Sequence, residues 1–317
     1  MFPAKLFLFG EYSILLGSQA LSIPLKHFTA TLRLQRPDSD NTEASRMASN
    51  HELCRMYEYF VIHADVFGSF LNLDAFVVAL SEGLYLDSSI PQRYGVGSSG
   101  ALCAAIYNRF RHDRNEAASS ERFNDVGLLR SRFIRMESFF HGKSSGFDPL
   151  VSFMKVPLML SSAGEVNAVD LSQSFSHSDF PGLLLVDSGS PCSTGPLVAE
   201  FMDAFSPKGT VTAMGTELCS LVNTIIDRLI AGDVASMTGH ITRLSHFQLK
   251  NLSHLIPVNL IPSWIHGIET GLFAMKLCGS GGGGFLLCFT LRHDDAIDYF
   301  KSMNLRVVDV LQNGLGE

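Results

Sequence analysis

Apolar residues along this chain fall into short blocks, some with the period of strands and others with the period of helices. Residues 5–9 and 183–187 are short, largely apolar runs, and residues 28–35 alternate apolar and polar positions. Alternation of this kind is the period of a half-buried strand. Further strands are predicted from similar blocks at 76–80, 84–86, 151–154, 275–278, 285–289 and 305–311.

Other blocks place apolar residues three and four positions apart, which is the spacing of one helix face. Met136 and Phe140, for example, continue the face that Val126, Leu129 and Phe133 begin. On this basis helices are predicted at 51–67, 101–111, 122–141, from Pro196 onward, and at 210–231, 233–250 and 262–274. Loops are predicted at the polar segments 36–50 and 112–121.

A glycine-rich turn runs directly into an apolar helix between residues 93 and 102. Its glycines let the backbone approach another group closely, and Ser98 and Ser99 bring hydroxyls to the helix N-terminus. Such a terminus carries unsatisfied N–H groups and a positive dipole end, so it attracts phosphate. An ordinary capped helix after a tight turn would show the same pattern, and the stretch alone leaves both alternatives open.

Composition narrows the class of protein without indicating a reaction. An apolar fraction of 46% and a charged fraction of 17% are those of a well-packed globular protein. A net charge of -7 without a basic tract argues against nucleic-acid or membrane-surface binding. Six cysteines without a CxxC pair argue against a metal cluster or a disulfide framework. With no signal-peptide pattern and no apolar run of about 18 residues, we expect a cytoplasmic protein.

Three glycine-bearing segments resemble, in order and spacing, the signature motifs of the GHMP kinases. This superfamily includes galactokinase, homoserine kinase, mevalonate kinase and phosphomevalonate kinase. The segments are Pro3-Ala4-Lys5 with Gly10-Glu11-Tyr12, Pro91 with Gly95-Val96-Gly97-Ser98-Ser99-Gly100-Ala101, and Lys276-Leu277-Cys278 with the glycine loop 279–284. Because the three follow one another along the whole chain, the resemblance covers all of it.

Two further segments are similar to mevalonate kinases in particular. Residues 137–148 look like their His-Gly-x-x-Ser-Gly-x-Asp stretch, and Glu137 stands eleven residues before Asp148. Residues 187–194 look like the loop whose threonine, here Thr194, lies at the substrate in that family. The resemblance therefore implies phosphorylation of (R)-mevalonate to 5-phosphomevalonate, in the early steps of isoprenoid synthesis.

The resemblance also implies an α+β fold of two domains with the active site in the cleft between them. The N-terminal domain, 1–180, would hold a mixed sheet of the ribosomal S5 type and bind ATP. The C-terminal domain, 181–317, would be ferredoxin-like. The break at Phe180-Pro181-Gly182 suggests the boundary independently, because proline and glycine interrupt the apolar pattern there.

Site residues follow from the motifs and from the chemistry of phosphoryl transfer. Mg²⁺ prefers oxygen ligands completed by water and phosphate, which suits Ser99 and Glu137. Asp148 would accept or orient the substrate hydroxyl proton, and Lys5 would stabilise the reacting charges. ATP phosphates are assigned to Gly95, Val96, Gly97, Ser98, Ser99, Gly100 and Ala101. The substrate is assigned to Glu11, Tyr12, Thr194, Gly281 and Gly282.

Each assignment has an ordinary structural alternative. Lys5 and Glu11 could form a surface pair beside a strand, and Asp148 could only shape a turn before a proline. Thr194 could only cap a helix, as could His141. These alternatives make different predictions about burial and about local backbone structure.

The substrate is less strongly specified than the chemistry. Tyr12 and the second motif also look like phosphomevalonate kinases, but no added cluster of arginines or lysines is present to hold a substrate phosphate. A sugar kinase is disfavoured because Gly-Glu-His-x-Asp-Tyr is absent, and a catalytically silent binding protein of the same fold stays a third alternative. The expected partners are the small-molecule substrate and ATP, without nucleic acid or membrane. The oligomeric state is open, with a homodimer as one arrangement.

Overall fold

The computed structural model divides the chain into two compact units. It describes residues 1–34, 43–112, 125–142, 144–192 and 194–312. The first unit consists of Met1–Ala4, Phe28–Ile90 and Gly97–Lys155, and the second of Lys5–His27, Pro91–Val96 and Val156–Glu317. Strand β1 (Phe2–Phe9) and strand β2 (Ala20–Arg33) contribute residues to both. The domain boundary at 180/181 stays a prediction.

The first unit is mainly helical. Its helices are α1 Glu43–Ile62, α2 Ala64–Phe67, α3 Leu73–Ser81, α4 Ser98–Phe110, α5 Val126–His141 and α6 Phe147–Met154. Helix α4 packs against α5 and α6 and is buried without interruption from Gly100 to Tyr107. Strand β3 (Tyr85–Ser88) pairs antiparallel with the end of β2, where Ala30 faces Ser88. Helix α4 is thus the central helix of this unit, and other helices pack around it.

The second unit contains two antiparallel sheet regions. In one, Ala20 of β2 faces Leu160 of β4 (Leu158–Leu160), which pairs in turn with β5 (Val166–Ala168). The other has the strand order β7-β8-β6-β9 and comprises β6 Gly182–Asp187, β7 Ala274–Leu277, β8 Phe285–Thr290 and β9 Val307–Asp309. The strand predicted near the C-terminus is confirmed as β9, and it pairs with β6.

Helices connect the strands of the second sheet in the order that a ferredoxin-like domain requires. They are α8 Thr194–Phe205, α9 Ala213–Ile230, α10 Val234–Asn251, α11 Ile261–Thr270 and α12 His293–Ser302, and the short helix α7 (Ser172–Phe175) precedes β6. Short 3-10 segments lie at Ser13–Leu16, Pro207–Gly209, Ser253–Leu255 and Val258–Leu260. The α+β class is confirmed. In the part of the chain that the structure describes, no helix combines the length and the apolar character needed to span a membrane.

Three local predictions were wrong for identifiable reasons. Residues 43–50 begin α1 instead of a loop, because that end of the helix is largely exposed and therefore polar. Residues 76–80 lie in α3, where only Phe76, Ala79 and Leu80 are buried. Residues 151–154 lie in α6, whose burial on all sides gives the continuous apolar run that also suits a strand.

Candidate active site

The glycine turn ends where helix α4 begins. Gly95 and Gly97 have φ angles of 78° and 74°, in the left-handed region that favours glycine. A Cβ on Gly95 would also lie 2.6 Å from the carbonyl oxygen of Cys278, which leaves no room for a side chain. Ser98 and Ser99 occupy the first positions of α4. The turn thus delivers two hydroxyls and the first N–H groups of a buried helix to one place.

Glu137 lies beside this helix start. Its side chain projects from α5, is 4% exposed, and accepts a hydrogen bond at Oε1 from the Ser99 hydroxyl, with 3.5 Å between the oxygens. The hydroxyl of Ser144 donates to the other carboxylate oxygen, Oε2. The structure therefore brings together the two residues assigned to Mg²⁺. It adds Ser144, to which the sequence assigned no role of its own.

Asp148 is placed in the first turn of α6. Helices α4 and α6 touch at Gly100, where a Cβ would lie 2.8 Å from the carbonyl carbon of Asp148 and from the nitrogen of Pro149. An acidic side chain in the first turn is stabilised by the helix dipole, and proline is tolerated there because no N–H is needed. The alternative of a simple turn is wrong, since Asp148 is helical. The backbone of Asp148 lies against Gly100, the residue that follows Ser99 in α4.

The donor set at the start of α4 fits Mg²⁺. Neighbouring ligands of an octahedral Mg²⁺ at about 2.1 Å lie about 3 Å apart, close to the 3.5 Å between Ser99 Oγ and Glu137 Oε1. Among the described residues, no group of three or more His, Cys, Asp or Glu side chains could hold a metal ion. Two oxygens completed by water and phosphate are the pattern of a metal that arrives with a nucleotide.

Lys5 is buried in β1, with 4% of its surface exposed. Its Nζ lies 3.9 Å from the centre of the Phe7 ring, and its backbone N–H donates to the carbonyl oxygen of Val96 at 3.0 Å. A cation over an aromatic face is held by the ring quadrupole. The alternative of a surface pair with Glu11 is therefore wrong for Lys5.

Glu11 forms a buried ion pair with Lys276, a residue of the third motif to which the sequence gave no partner. The Lys276 ammonium also donates to the carbonyl oxygen of Leu277 at 2.6 Å. Burial raises the pKa of the Glu11 carboxyl, and the nearby Lys276 ammonium opposes that rise. The pair joins the turn after β1 to the end of β7.

Tyr12 is also tied to the third motif. Its φ angle is 63°, and its hydroxyl donates to the carbonyl oxygen of Ser280 at 2.5 Å. Its ring packs on Phe201, with 4.6 Å between centroids. Burial raises the pKa of the Tyr12 hydroxyl far above its ordinary value, so the group stays a hydrogen-bond donor near neutral pH.

The glycine loop between β7 and β8 is packed closely against other segments of the second unit. A Cβ on Gly281 would lie 2.5 Å from the carbonyl oxygen of Leu255, and one on Gly282 would lie 2.6 Å from Cys192 Sγ. The Gly282 N–H donates to the same Leu255 oxygen at 2.5 Å, and the Gly284 N–H donates to another backbone oxygen at 2.7 Å. Close packing within this unit accounts for the glycines.

The remaining assigned residues are placed by their elements. Thr194 is the first residue of α8, and His141 is the last residue of α5. Ala101 is buried in the first turn of α4, and Val96 is buried just before that helix. Ser193, which belongs to the segment resembling the substrate loop, lies outside the described residues. The roles assigned to all of these residues stay predictions.

Comparison with known proteins first defines the fold. No family model matches the chain. A mevalonate kinase of L. major, solved with R-mevalonate, has a TM-score of 0.61 at 16% identity, with 95% of this chain and 90% of that chain covered. A Streptococcus pneumoniae phosphomevalonate kinase, solved with phosphomevalonate and AMPPNP, gives 0.61 at 14% identity, with 97% of each chain covered. A Lactococcus lactis galactokinase complexed with galactose gives 0.60 at 10%, with 97% and 91% covered.

The chain shares the fold of these three kinases, which is the fold that the order of its motifs predicted. Among curated relatives, a mevalonate kinase of Pyrococcus abyssi is 25% identical over 306 residues, with 89% of this chain and 85% of the relative covered. A mevalonate kinase of Pyrococcus horikoshii matches with the same identity and coverage. The chain is thus similar to mevalonate kinases over most of its length, as the segments 137–148 and 187–194 predicted. These similarities support a phosphotransferase with an alcohol acceptor.

Proposed function

We propose that this protein transfers the γ-phosphoryl group of ATP to the hydroxyl of (R)-mevalonate, giving 5-phosphomevalonate and ADP. The observation that carries the proposal is the contact of Ser99 with Glu137 at the start of α4, beside the backbone of Asp148. In phosphoryl transfer Ser99 and Glu137 would hold the metal at the ATP phosphates, and Asp148 would face the acceptor hydroxyl. The choice of mevalonate rests on the curated relatives and on the segments 137–148 and 187–194.

The nucleotide is proposed to bind at the turn 95–101. Backbone N–H groups of this turn and the dipole of α4 favour the phosphates, and the glycines at 95 and 97 supply the left-handed backbone. Ser99 and Glu137 are proposed to hold Mg²⁺, which would neutralise charge on the triphosphate. Glu137 suits this role because its carboxylate is buried and oriented at both oxygens by hydroxyls.

The acceptor side is proposed to depend on Asp148 and Lys5. Asp148 would orient the mevalonate hydroxyl and accept its proton, and the Lys5 ammonium would stabilise charge on the reacting oxygens. Little covalent chemistry is required of the protein, so positioning and electrostatics would supply most of the rate enhancement.

Recognition of mevalonate is proposed to involve five residues of the remaining motifs: Glu11, Tyr12, Thr194, Gly281 and Gly282. Because Glu11 is paired with Lys276 and the Tyr12 hydroxyl with Ser280, their contribution would include holding the glycine loop in shape. A phosphorylated acceptor is less favoured, since the chain adds no arginine or lysine cluster to its motifs.

The proposal is tested by ATP consumption with purified protein offered mevalonate, phosphomevalonate and galactose in turn. Turnover with mevalonate, and not with the other two, is the expected result. Turnover only with phosphomevalonate would replace the substrate and keep the reaction class. Binding of ATP without turnover of any acceptor would contradict the proposal and favour a silent binding protein.

A further inference from the structure

The hydroxyl of Ser144 lies between the Glu137 carboxylate and the turn that precedes α6. It donates to Glu137 Oε2 and accepts a hydrogen bond from the N–H of Gly146 at 2.9 Å. A serine hydroxyl has one proton, so these two bonds fix its direction. Ser144 therefore connects a side chain of α5 to the backbone that starts the next helix.

Glu137 is held on both sides by hydroxyls from different elements. Ser99 of α4 reaches Oε1, and Ser144 reaches Oε2. Residue Glu137 is 4% exposed, so loss of either bond would leave a buried oxygen without that partner. If Oε1 is the oxygen that meets a metal together with Ser99, the bond from Ser144 is the one that keeps the carboxylate turned correctly.

The turn that Ser144 supports has little freedom. Gly146 has a φ angle of 67°, and a Cβ there would lie 2.7 Å from the carbonyl oxygen of Arg130 in α5. Asp148 follows within the first turn of α6. Movement of this turn would therefore displace Asp148, and the Ser144 hydroxyl bonds to the turn and to Glu137 at once.

We propose that Ser144 is a positioning residue that directs Glu137 Oε1 toward the metal and fixes the start of α6. It would keep the two carboxylates, Glu137 and Asp148, in one mutual geometry. This inference rests on the proposed function, because it takes Glu137 as the ligand of a nucleotide-bound metal. Groups that orient metal ligands in this way commonly change metal affinity or activity by about 10- to 100-fold when they are removed.

The test measures metal binding without any acceptor. Calorimetry gives the affinity of the protein for AMPPNP with and without Mn²⁺, and the ratio is the factor by which the metal tightens binding. Ser144→Ala is expected to reduce that factor about tenfold. Ser144→Thr, which keeps the hydroxyl, is expected to stay within about twofold of the wild-type factor.

Ser152→Ala is the matched control for loss of a buried hydroxyl. Ser152 lies in α6, and its hydroxyl donates to the carbonyl oxygen of Pro3 at 2.6 Å, so its removal should lower the melting temperature and leave the metal factor unchanged. The role of Ser144 would be overturned if Mn²⁺ tightened AMPPNP binding as much in Ser144→Ala as in the wild type. It would also be overturned if Ser144→Thr lost as much of this effect as Ser144→Ala. If the AMPPNP affinity of the wild-type protein does not change with Mn²⁺, Glu137 is not a metal ligand and the inference about Ser144 is wrong. Failure of the proposed reaction would appear separately, as absent turnover.

Discussion

Asp148 stands in the first turn of a buried helix, with its backbone against Gly100 and its helix start fixed by Gly146. The backbone that carries this carboxylate is therefore held in place. Replacement by a residue of the same shape therefore separates its chemical role from its structural one.

We predict that Asp148→Asn leaves ATP affinity largely intact and lowers kcat by about 10²- to 10⁴-fold, the range for loss of a general base. Steady-state kinetics with mevalonate and calorimetry with ATP measure the two effects. Asp74→Asn, an exposed acid in the first turn of α3, is the matched control and should keep wild-type kcat. Near-normal turnover in Asp148→Asn would remove Asp148 from the mechanism.

Phe7 supports Lys5 through its ring face at 3.9 Å. A cation–π contact contributes about 0.5–2 kcal/mol, so Phe7→Leu is predicted to lower kcat about 2- to 30-fold. Phe7→Tyr keeps the ring and should restore most of the activity. The split between kcat and the KM for ATP distinguishes this effect from a general loss of nucleotide binding. Equal kcat in the leucine and wild-type proteins would show that the ring is not required.

The sequence predicted the candidate site residues, but it did not predict which other residues contact and orient them. Ser99, Glu137 and Asp148 stand at recognisable spacings within short segments, so motif comparison selected them as candidates. Lys276, the partner of Glu11, is 265 residues away from it along the chain. Ser144 is near Glu137 in sequence, but only the turn before α6 brings its hydroxyl to the carboxylate.

At the scale of elements, the contact between α4 and α6 depends on a missing side chain. Gly100 lets the two helices approach until a Cβ would lie 2.8 Å from the backbone of α6. Helix periodicity correctly predicted α4, because its buried face is long and continuous. It failed for α3, whose five-residue apolar run also suits a strand until Asn72 is seen to cap the helix at the N–H of Ala75.

Gly100→Ala is predicted to destabilise the protein by about 1–3 kcal/mol, because α6 must move to admit the methyl group. Activity should fall as well, since Asp148 moves with α6. Gly239→Ala is the control: Gly239 is exposed within α10 and has open space at its Cβ position, so alanine should stabilise by about 0.5–1 kcal/mol. Denaturant unfolding measures both. An unchanged midpoint in Gly100→Ala would contradict the tight contact.

Asp233 caps α10 by accepting from the N–H of Ser236. Hydrogen bonding from Ser236, with a smaller contribution from Arg228, lowers the pKa of this carboxyl. A lowered pKa stabilises the folded state above the unfolded value of about 4, and the effect is lost as pH falls through the folded pKa. The melting-temperature deficit of Asp233→Ala should therefore shrink between pH 7 and pH 3.

Thr212 provides the comparison for that pH experiment. It caps α9 by accepting from the N–H of Gly215 at 3.1 Å, and its hydroxyl does not titrate in this range. The deficit of Thr212→Ala is expected to vary less with pH than that of Asp233→Ala. Parallel curves for the two variants would show that the Asp233 charge does not contribute to the cap.

At the scale of the whole chain, the two compact units interleave in sequence. The second unit takes its first residues from Lys5–His27 and the rest mainly from beyond residue 155. Motif order along the chain correctly predicted the GHMP kinase type of fold, because the motifs are local patterns. Short patterns of neighbouring residues do not predict which unit a segment joins, because that depends on pairing between residues far apart in the sequence.

The Glu11–Lys276 pair joins two distant segments and is buried, with 3% and 1% of the two side chains exposed. Removal of one member leaves a buried charge without its partner, so Lys276→Met is predicted to cost about 3–5 kcal/mol. The double variant with Glu11→Gln should cost less, because no charge remains. Unfolding free energies test this order, and a double variant less stable than Lys276→Met would contradict it.

This pairing also has a consequence for the time course of synthesis. Glu11 leaves the ribosome well before Lys276, which follows 265 residues later. At a translation rate of about 5–20 residues per second, Lys276 is synthesised roughly 10–50 s after Glu11. During that interval Glu11 cannot form its final ion pair, whereas the segments 28–90 and 97–155 of the first unit are synthesised. The turn after β1 is therefore expected to reach its final pairing later than the helices of the first unit.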